Sequence, residues 1–566
     1  MHAAVFLSFG IIISRACYLQ IIKHGFYSAL AQDQHELSET LVARRGEIYM
    51  KDDAGGDLYP VAINKEMNLV YAVPRDIIKE GVGTDVARKT SEILGLDYGE
   101  VLAKVSKADD RYEVLKKKVS DEDAEKLRKE DLTGIAIAPD SFRYYPGGEL
   151  AASVIGFLGY KDKERVGQYG VEGFCEKELV GESGRLTQEQ DAFGKWISFG
   201  DKTLVPATDG KDVVLTLDYT VQYLVEQKLK AAVEAYSAES GTVIIMDPET
   251  GEITALANYP TYDLNKYSEV ENMSVYMNSA VHDVYEPGSI EKPITMAIGL
   301  DTGKIIPSST YVDSGLVQID GWGIRNSDLK ANGLQTMTQI LEKSLNTGTI
   351  YIEQRVDKSV FYDYLKKFNL GTPTGIEVMG ESGGNLSNLE TYSDINYATA
   401  SFGQGISVTP LGILTAISAF ANDGKLMKPY IIDSYADANG NTEKTEPEVV
   451  RQVVSSKTAN QVAAMMVSVV DNGHSKGAQL PGYKIAGKTG TAQIPSKDKK
   501  GYDADRTIHT FVGFGPMPNP KFSILVKLDA PKAMYAESTS VKVFREIEEE
   551  LVKYYHLAPT ETIETK

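Results

Sequence analysis

Cysteine, histidine and positive charge are all in short supply in this chain, and each shortage removes a class of function. Only two of the 566 residues are cysteine, Cys17 and Cys175, and seven are histidine. Two cysteines build neither a disulfide framework nor a four-ligand zinc site, and no pair of histidines has the H-x-x-x-H spacing of a metal-binding helix. No metal and no cofactor is therefore expected. Lysine and arginine number 59 against 79 aspartates and glutamates, a formal net charge of −20. No Lys/Arg stripe with interleaved aromatics offsets it, so most of the surface repels phosphate backbones and nucleic acid is not an expected partner. Internal repeats of solenoid length are absent too.

What is present is a packed, mostly soluble chain: 42% hydrophobic and 24% charged residues, close to globular averages. Single cores stop growing at roughly 250–300 residues, so at least two folded units are needed. Residues 3–22 are apolar apart from Ser8, Ser14, Arg15 and Gln20, and about 20 residues is the length that spans a bilayer. No small-residue cleavage site follows, which predicts an uncleaved anchor over residues 1–22. Arg15 is its costly position, and a span beginning before Met1 would move that charge toward an end. A buried amphipathic helix is the alternative. From residue 23 to 206, strand-like runs mix with charged helices and no cluster of reactive side chains occurs, so this part reads as a scaffold. The run Lys116-Lys117-Lys118 is read as a solvated face without a function.

A second unit begins near Asp209. Residues 213–217 read as a strand, and a helix follows through Val221, Leu224, Leu229 and Val233. Two apolar runs, 241–246 and 252–257, flank the turn cluster Asp247-Pro248-Glu249-Thr250-Gly251 and predict a hairpin. Further strands are expected at 483–493, 509–515 and 522–528, and a last helix carries Val541, Phe544, Ile547 and Leu551 on one face. Helical patterns such as 337–345 lie between the two groups of strands, which predicts an α+β domain.

Glu286-Pro287-Gly288-Ser289-Ile290-Glu291-Lys292-Pro293 sets a turn dipeptide just before Ser289. That predicts a serine opening a helix, its hydroxyl near free backbone N–H groups. Lys292, three residues on, falls on the same face within reach of the serine oxygen. A serine hydroxyl is a poor nucleophile until a base takes its proton. Lysine can be that base only if its pKa falls from about 10.4 toward neutrality, about 4 kcal/mol for three units. Burial and a second cation nearby are the means. A lone S-x-x-K is more simply an ordinary helix start, but two further elements join it. Ser344-Leu345-Asn346 follows the helical stretch 337–343 and puts a hydroxyl and an amide at a helix end. Lys488-Thr489-Gly490-Thr491 sits in a strand-like run, where Thr489 and Thr491 share a face and Gly490 lets the strand lie close to its neighbours. A hydroxyl-lined strand edge beside a lysine suits a carboxylate and an extended peptide.

Taken in order, these elements resemble the S-x-x-K, S-x-N and K-T-G motifs of the penicillin-binding proteins. Leu345, where class A β-lactamases carry Asp, leans away from that branch. Arg45-Gly46-Glu47-Ile48 resembles the R-G-x-I motif that opens the non-catalytic domain of class B members, although Met50-Lys51-Asp52-Asp53 is a poor copy of the D-R-N-G that follows there. Arg143-Tyr144-Tyr145-Pro146, Gly170-Val171-Glu172, and Gly403-Gln404-Gly405 with Thr409-Pro410-Leu411 are similar to later family motifs. The resemblance implies an α+β, penicillin-recognising serine transpeptidase fold, an antiparallel sheet flanked by helices, preceded by an elongated mixed domain. The implied division is an anchor over 1–22, a pedestal or dimerisation domain over 23–206, a transpeptidase domain over 207–556 and a polar tail over 557–566.

The same resemblance implies a monofunctional peptidoglycan D,D-transpeptidase inhibited covalently by β-lactams. Ser289 would attack the penultimate D-Ala carbonyl of a stem peptide, with Lys292 as base and Ser344 and Lys488 relaying a proton to the leaving amine. Asn346 would hold the peptide, Thr489, Gly490 and Thr491 would bind its carboxylate, and the N–H groups of Ser289 and Thr491 would form the oxyanion hole. Implied partners are stem peptides, β-lactams and a membrane glycosyltransferase of the elongation or division machinery. The implied location is single-pass at the bacterial cytoplasmic membrane, catalytic domain outside. A β-lactam sensor or inactive scaffold, and a β-lactamase, are the alternatives. If Lys292 is the base, Lys292→Arg is expected to lose acylation with little change in melting temperature.

Overall fold

The computed structural model describes residues 36–53, 55–108, 110–162, 164–189, 202–495 and 501–560, together with 10, 13–15, 18, 20 and 23. Among these no helix is long and apolar enough to cross a membrane. Most of the anchor expected over 1–22 and the end of the tail expected over 557–566 lie outside the described residues.

The described residues divide into two compact units. The smaller takes those up to Gly46 with Lys177–Asp212 and Ala436–Asn441. Its three-stranded antiparallel sheet runs in the order Glu36–Leu41, Gly184–Glu189, Lys202–Val205. Gly46 donates its N–H to the Leu179 carbonyl at 2.8 Å, and a Cβ there would stand 1.8 Å from the Lys211 oxygen. The second letter of the R-G-x-I motif is thus a close backbone approach that a larger residue cannot make.

The larger unit takes Glu47–Glu176, Val213–Tyr435 and the residues from Thr442 onward. In its first sheet the strand Ile48–Lys51 runs parallel to Asp212–Asp218 and antiparallel to Leu58–Ala72. Leu58–Ala72 pairs in turn with Glu113–Val119 and Ile135–Tyr144. Val70, Ile77, Val86, Leu94, Val101, Leu115 and Leu127 form the core between these strands and their helices. Two distant motifs meet here. Arg143 Nε donates to Glu172 Oε1 at 2.6 Å with the side chains 2% and 0% exposed, and the Tyr145 hydroxyl donates to the same oxygen at 3.2 Å.

The second sheet consists of β1 (Ser240–Met246), β2 (Ile253–Tyr259), β3 (Lys484–Pro495), β4 (Tyr502–Met517) and β5 (Phe522–Asp529). Its order is β2-β1-β5-β4-β3 with every neighbour antiparallel, so β3 is an edge strand. Helices α1 (Tyr219–Ala235), α2 (Lys292–Asp301), α3 (Met337–Glu342), α4 (Asn346–Glu353), α5 (Ser456–Asn472) and α6 (Ser540–Tyr554) complete the part that holds the site. Val221, Val225 and Leu229 of α1 and Val541, Phe544, Ile547 and Leu551 of α6 pack with Val243, Ile245, Phe511 and Ile524 of the sheet. Each such buried side chain contributes about 1.5–3 kcal/mol. The strands at both ends of this stretch and the helices between them form the expected α+β arrangement.

One charged residue of α6 sits badly in that core. Both carboxyl oxygens of Glu548 are buried with no hydrogen-bond partner among the described residues, and burial, opposed by the Arg545 charge, raises its pKa well above the usual range. An acid raised in the folded state costs no stability below its unfolded pKa of about 4.3 and costs progressively more as pH climbs from there toward the folded value. Glu548→Met is therefore expected to stabilise the protein by about 1–3 kcal/mol at pH 8 and to flatten the pH dependence of its urea midpoint. A variant midpoint at or below that of the parent at pH 8 would contradict this.

Candidate active site

The turn that carries Ser289 is held from two sides. Gly288 donates its N–H to the Gly403 carbonyl at 3.0 Å, and Gly403, at φ +77, would put a Cβ 2.2 Å from the Gly288 oxygen. Across the turn, a Cβ on Gly490 of β3 would stand 3.0 Å from Ile290 Cγ2 and 3.1 Å from the Pro287 oxygen. The close approach expected of Gly490 is present. Ser289 lies in the opening turn of a helical stretch, and that turn is 3-10: Gly288–Ile290 forms it and α2 starts at Lys292. Pro293 accounts for this, since proline suits the first helical turn, where its missing N–H has no partner to lose. Ser289 is half-buried, and its hydroxyl enters no hydrogen bond among the described residues.

Ser344 follows the end of α3 with a left-handed backbone, φ +54, before α4 begins at Asn346. A non-glycine residue in that region is uncommon; here it belongs to the tight connection that brings both the carbonyl and the hydroxyl of Ser344 to one ammonium group. Lys292 Nζ lies 2.6 Å from the Ser344 carbonyl oxygen, 2.8 Å from Asn346 Oδ1 and 3.2 Å from Ser344 Oγ. Lys488 Nζ lies 3.0 Å from the same Oγ and 3.0 Å from the Thr489 carbonyl. Ser344 Oγ therefore bridges the two lysines.

Both lysines are buried. Burial first, then the Lys488 charge, pulls Lys292 well below the usual lysine range, against a smaller opposing effect of Glu291. Burial pulls Lys488 down to about 8, opposed by Glu537. A neutral amine has two hydrogens and one lone pair. At Lys292 the Ser344 carbonyl and Asn346 Oδ1 accept both hydrogens, which leaves the lone pair for a hydroxyl. Lys488, still largely charged at neutral pH, donates to Ser344 Oγ and leaves that hydroxyl's own hydrogen to be passed on. The arrangement can take a proton at Lys292 and pass one through Ser344.

The other expected residues fall around this pair. Asn346 is engaged by the protein through both ends of its amide, with Oδ1 on Lys292 and Nδ2 donating to the Arg325 carbonyl at 2.9 Å. Thr489 is buried and Thr491 exposed, and Thr491 Oγ1 accepts from the Ala536 N–H at 3.4 Å. No local pattern pointed to Asp313, a buried carboxylate. It receives Thr347 Oγ1 at 2.7 Å, Asn326 Nδ2 at 2.9 Å and the Asn332 N–H at 2.9 Å, and so ties residues 313–332 to the first turn of α4. Among the described residues no group of His, Cys, Asp or Glu converges as a metal site.

Glu291 stood in plain view between Ser289 and Lys292, but its burial did not. Its carboxyl meets Thr295 Oγ1 at 3.0 and 3.3 Å, and that hydroxyl lies 2.9 Å from the Ser401 carbonyl. A hydroxyl has one hydrogen, which Thr295 divides between the Glu291 carboxyl and the Ser401 carbonyl. Burial, opposed by the Thr295 hydrogen bond and the Lys292 charge, raises the Glu291 pKa well above its usual range. A neutral Glu291 leaves Lys292 free to stay unprotonated. Glu291→Gln keeps an acceptor for Thr295 and is expected to leave the acid limb of the acylation pH profile in place. Movement of that limb by about one unit to lower pH would mean that an ionised Glu291 had been holding the Lys292 pKa up.

The sequence and fold match known proteins along most of the chain. A family model described as "Penicillin binding protein transpeptidase domain" matches residues 241–549, and one described as "Penicillin-binding Protein dimerisation domain" matches residues 40–215. The chain is 32% identical over 536 residues to stage V sporulation protein D of Bacillus subtilis, covering 93% of this chain and 81% of that protein. It is 33% identical over 553 residues to penicillin-binding protein PbpB of Mycobacterium tuberculosis, covering 94% and 80%. Among solved structures, penicillin-binding protein 3 of Mycobacterium tuberculosis complexed with aztreonam is similar with a TM-score of 0.70 and 26% identity, covering 93% of this chain and 99% of that one.

Proposed function

The chain belongs to the class B penicillin-binding proteins, and from that membership and the bridge at Ser344 we propose how its residues divide the work. It is a peptidoglycan D,D-transpeptidase that cross-links stem peptides through a serine acyl-enzyme, releases D-Ala and is inhibited covalently by β-lactams.

Ser289 attacks the penultimate D-Ala carbonyl as its proton passes to the lone pair of Lys292. The C–N bond to the terminal D-Ala breaks, and the leaving nitrogen takes a proton through Ser344 Oγ, with Lys488 supplying the charge that orients that hydroxyl. The acceptor amine then attacks the ester, gives its proton to Lys292, and Ser289 leaves as a hydroxyl. Asn346 positions Lys292 and keeps one N–H for the peptide. Gly490 and the hydroxyls of Thr489 and Thr491 line the carboxylate site, where a peptide adds to the open edge of β3. The N–H groups of Ser289 and Thr491 receive the oxyanion, a contribution of about 3–4 kcal/mol per donor in serine enzymes. The position of Ser344 Oγ between two lysine nitrogens carries this reading.

We assign residues 1–22 to a membrane anchor, 23–206 to the pedestal, 207–556 to the transpeptidase domain and 557–566 to a tail. The apolar run at 3–22 supports the anchor, and the location of stem peptides puts the catalytic domain outside the membrane, beside a glycosyltransferase of the elongation or division machinery. Full-length protein in detergent, treated with labelled penicillin and separately with a D-Ala-D-Ala stem peptide and an amine acceptor, tests the function. A long-lived adduct on Ser289 and D-Ala release with cross-linked product are expected. Rapid turnover of penicillin would make it a β-lactamase, and an adduct without D-Ala release would make it a sensor.

A further inference from the structure

Away from the catalytic lysines the larger unit carries a cavity of about 160 Å³, lined among others by Lys117, Lys118, Phe142, Tyr160, Arg165 and Tyr267. That is room for roughly five waters at about 30 Å³ each. Its walls come from Glu113–Val119, Ile135–Tyr144, the hairpin Phe157–Lys161 and Glu164–Gln168, and the 3-10 segment Leu264–Glu269. Consecutive residues of a strand point to opposite faces, so the basic run at 116–118 reads as a dispersed, solvated charge. Lys117 and Lys118 are indeed exposed, but the fold sets them together. Lys118 has a left-handed backbone, φ +54, the alternation breaks, and Lys117 and Lys118 line one cavity while Lys116 turns to the Leu94 carbonyl.

The charges in the cavity are unevenly matched. Arg165 pairs with Asp140 at 2.7 Å. Lys118 has no hydrogen bond or ion pair among the described residues and stands 5.7 Å from the centre of the Phe142 ring, which Arg165 also faces at 5.1 Å. Lys117 Nζ and Arg165 Nε both donate to the Tyr160 hydroxyl oxygen, at 2.9 and 3.3 Å. With its oxygen accepting from two cations, Tyr160 has its own hydrogen left, and no described residue accepts it. Burial, which raises the Tyr160 pKa, is outweighed by these two donors, so the phenol is a strengthened hydrogen-bond donor. Tyr267 is fixed as a wall by stacking on Phe157 at 4.1 Å.

We propose that this cavity binds a phosphate ester of glycerol-phosphate size, with Lys117, Lys118 and the Tyr160 hydroxyl on the phosphate oxygens and Phe142 and Tyr267 against its carbon atoms. Two lysines not neutralised by carboxylates match a dianion better than a single carboxylate, and donors arriving from two strands suit a tetrahedral group. In a chain of net charge −20 this local excess of cations is where a phosphate would be drawn, and its exposed lysines make the binding weak and sensitive to salt.

Phosphorus-31 NMR titration of the full-length protein in detergent with glycerol 3-phosphate tests the proposal. Saturable binding with a Kd of about 1 mM is expected, weakened at least about tenfold by Lys118→Glu and by a smaller factor by Tyr160→Phe. Both side chains are exposed at their ends, and unchanged melting and penicillin labelling would establish that the variants are folded. Inorganic phosphate binding equally well would identify free phosphate as the occupant. Displacement by phosphatidylglycerol vesicles but not phosphatidylcholine vesicles would identify a lipid headgroup. Absence of saturation, equal affinity in both variants, or acetate binding as tightly as the phosphate ester would overturn the assignment.

Discussion

Lys292→Met is expected to slow penicillin acylation of Ser289 by about two to four orders of magnitude, the usual cost of removing a general base. At about 1.36 kcal/mol per decade this is roughly 3–5 kcal/mol of barrier. The choice of methionine follows from the packing. Arginine would keep a charge that cannot be given up, but Lys292 is fully buried with three oxygens within 2.6–3.2 Å of Nζ. A guanidinium does not fit that space, so Lys292→Arg confounds lost basicity with overpacking, and an unchanged melting temperature is no longer expected of it. Methionine has nearly the length of lysine and no titratable group; its cost is the two carbonyl acceptors it leaves without a donor, about 1–3 kcal/mol of stability each at most. Labelling rates with fluorescent penicillin, measured beside circular-dichroism melts, separate the two effects. A folded Met variant that labels at near the parent rate would move the base to Ser344 or to a water. In the parent, acylation is also expected to decline above pH 8 as Lys488, at about 8, loses the charge it directs at Ser344, with the apparent pKa belonging to the coupled pair.

Glu172→Ala is expected to destabilise the larger unit by about 3–5 kcal/mol, because it strips the carboxylate from Arg143 in a place water does not reach. The Tyr145 hydroxyl loses its acceptor in the same step. Replacing both partners by methionine is expected to recover much of the loss, since a well-packed apolar pair avoids the desolvation of two charges. Urea denaturation of the single and double variants reads this directly. A single variant within about 1 kcal/mol of the parent, or a double variant no better than the single, would show that the ion pair does not anchor this part of the fold. Acylation of Ser289 in the folded fraction should survive, because Arg143 and Glu172 touch none of the groups around Lys292.

Much of the candidate site was legible because its signals are local. The dipeptide before Ser289, the end of the helical pattern before Ser344 and the alternating run around Lys488 each announce a turn, a helix end or a strand from neighbouring residues. The hairpin at 241–257 and the strand at 522–528 were readable for the same reason. Where the structure added detail, a nearby residue set it: Pro293 sits in the first turn of α2 and the turn at Ser289 before it is 3-10, and the left-handed Lys118 stands with Lys117 along one cavity while both stay exposed.

Sequence alone determined the order of the three motifs, whose resemblance to known ones pointed to the family, and the α+β class, since periodicity and turn chemistry are written in adjacent residues. Only the tertiary structure decided that Arg143 meets Glu172 and that Asp313 gathers Thr347, Asn326 and Asn332. It also decided that Glu291 is buried beside Lys292 and that Ser344 Oγ stands between two lysines. These depend on which groups lose water together and which donors come within 3 Å of which acceptors. Both are properties of residues far apart in the chain, and no local pattern carries them.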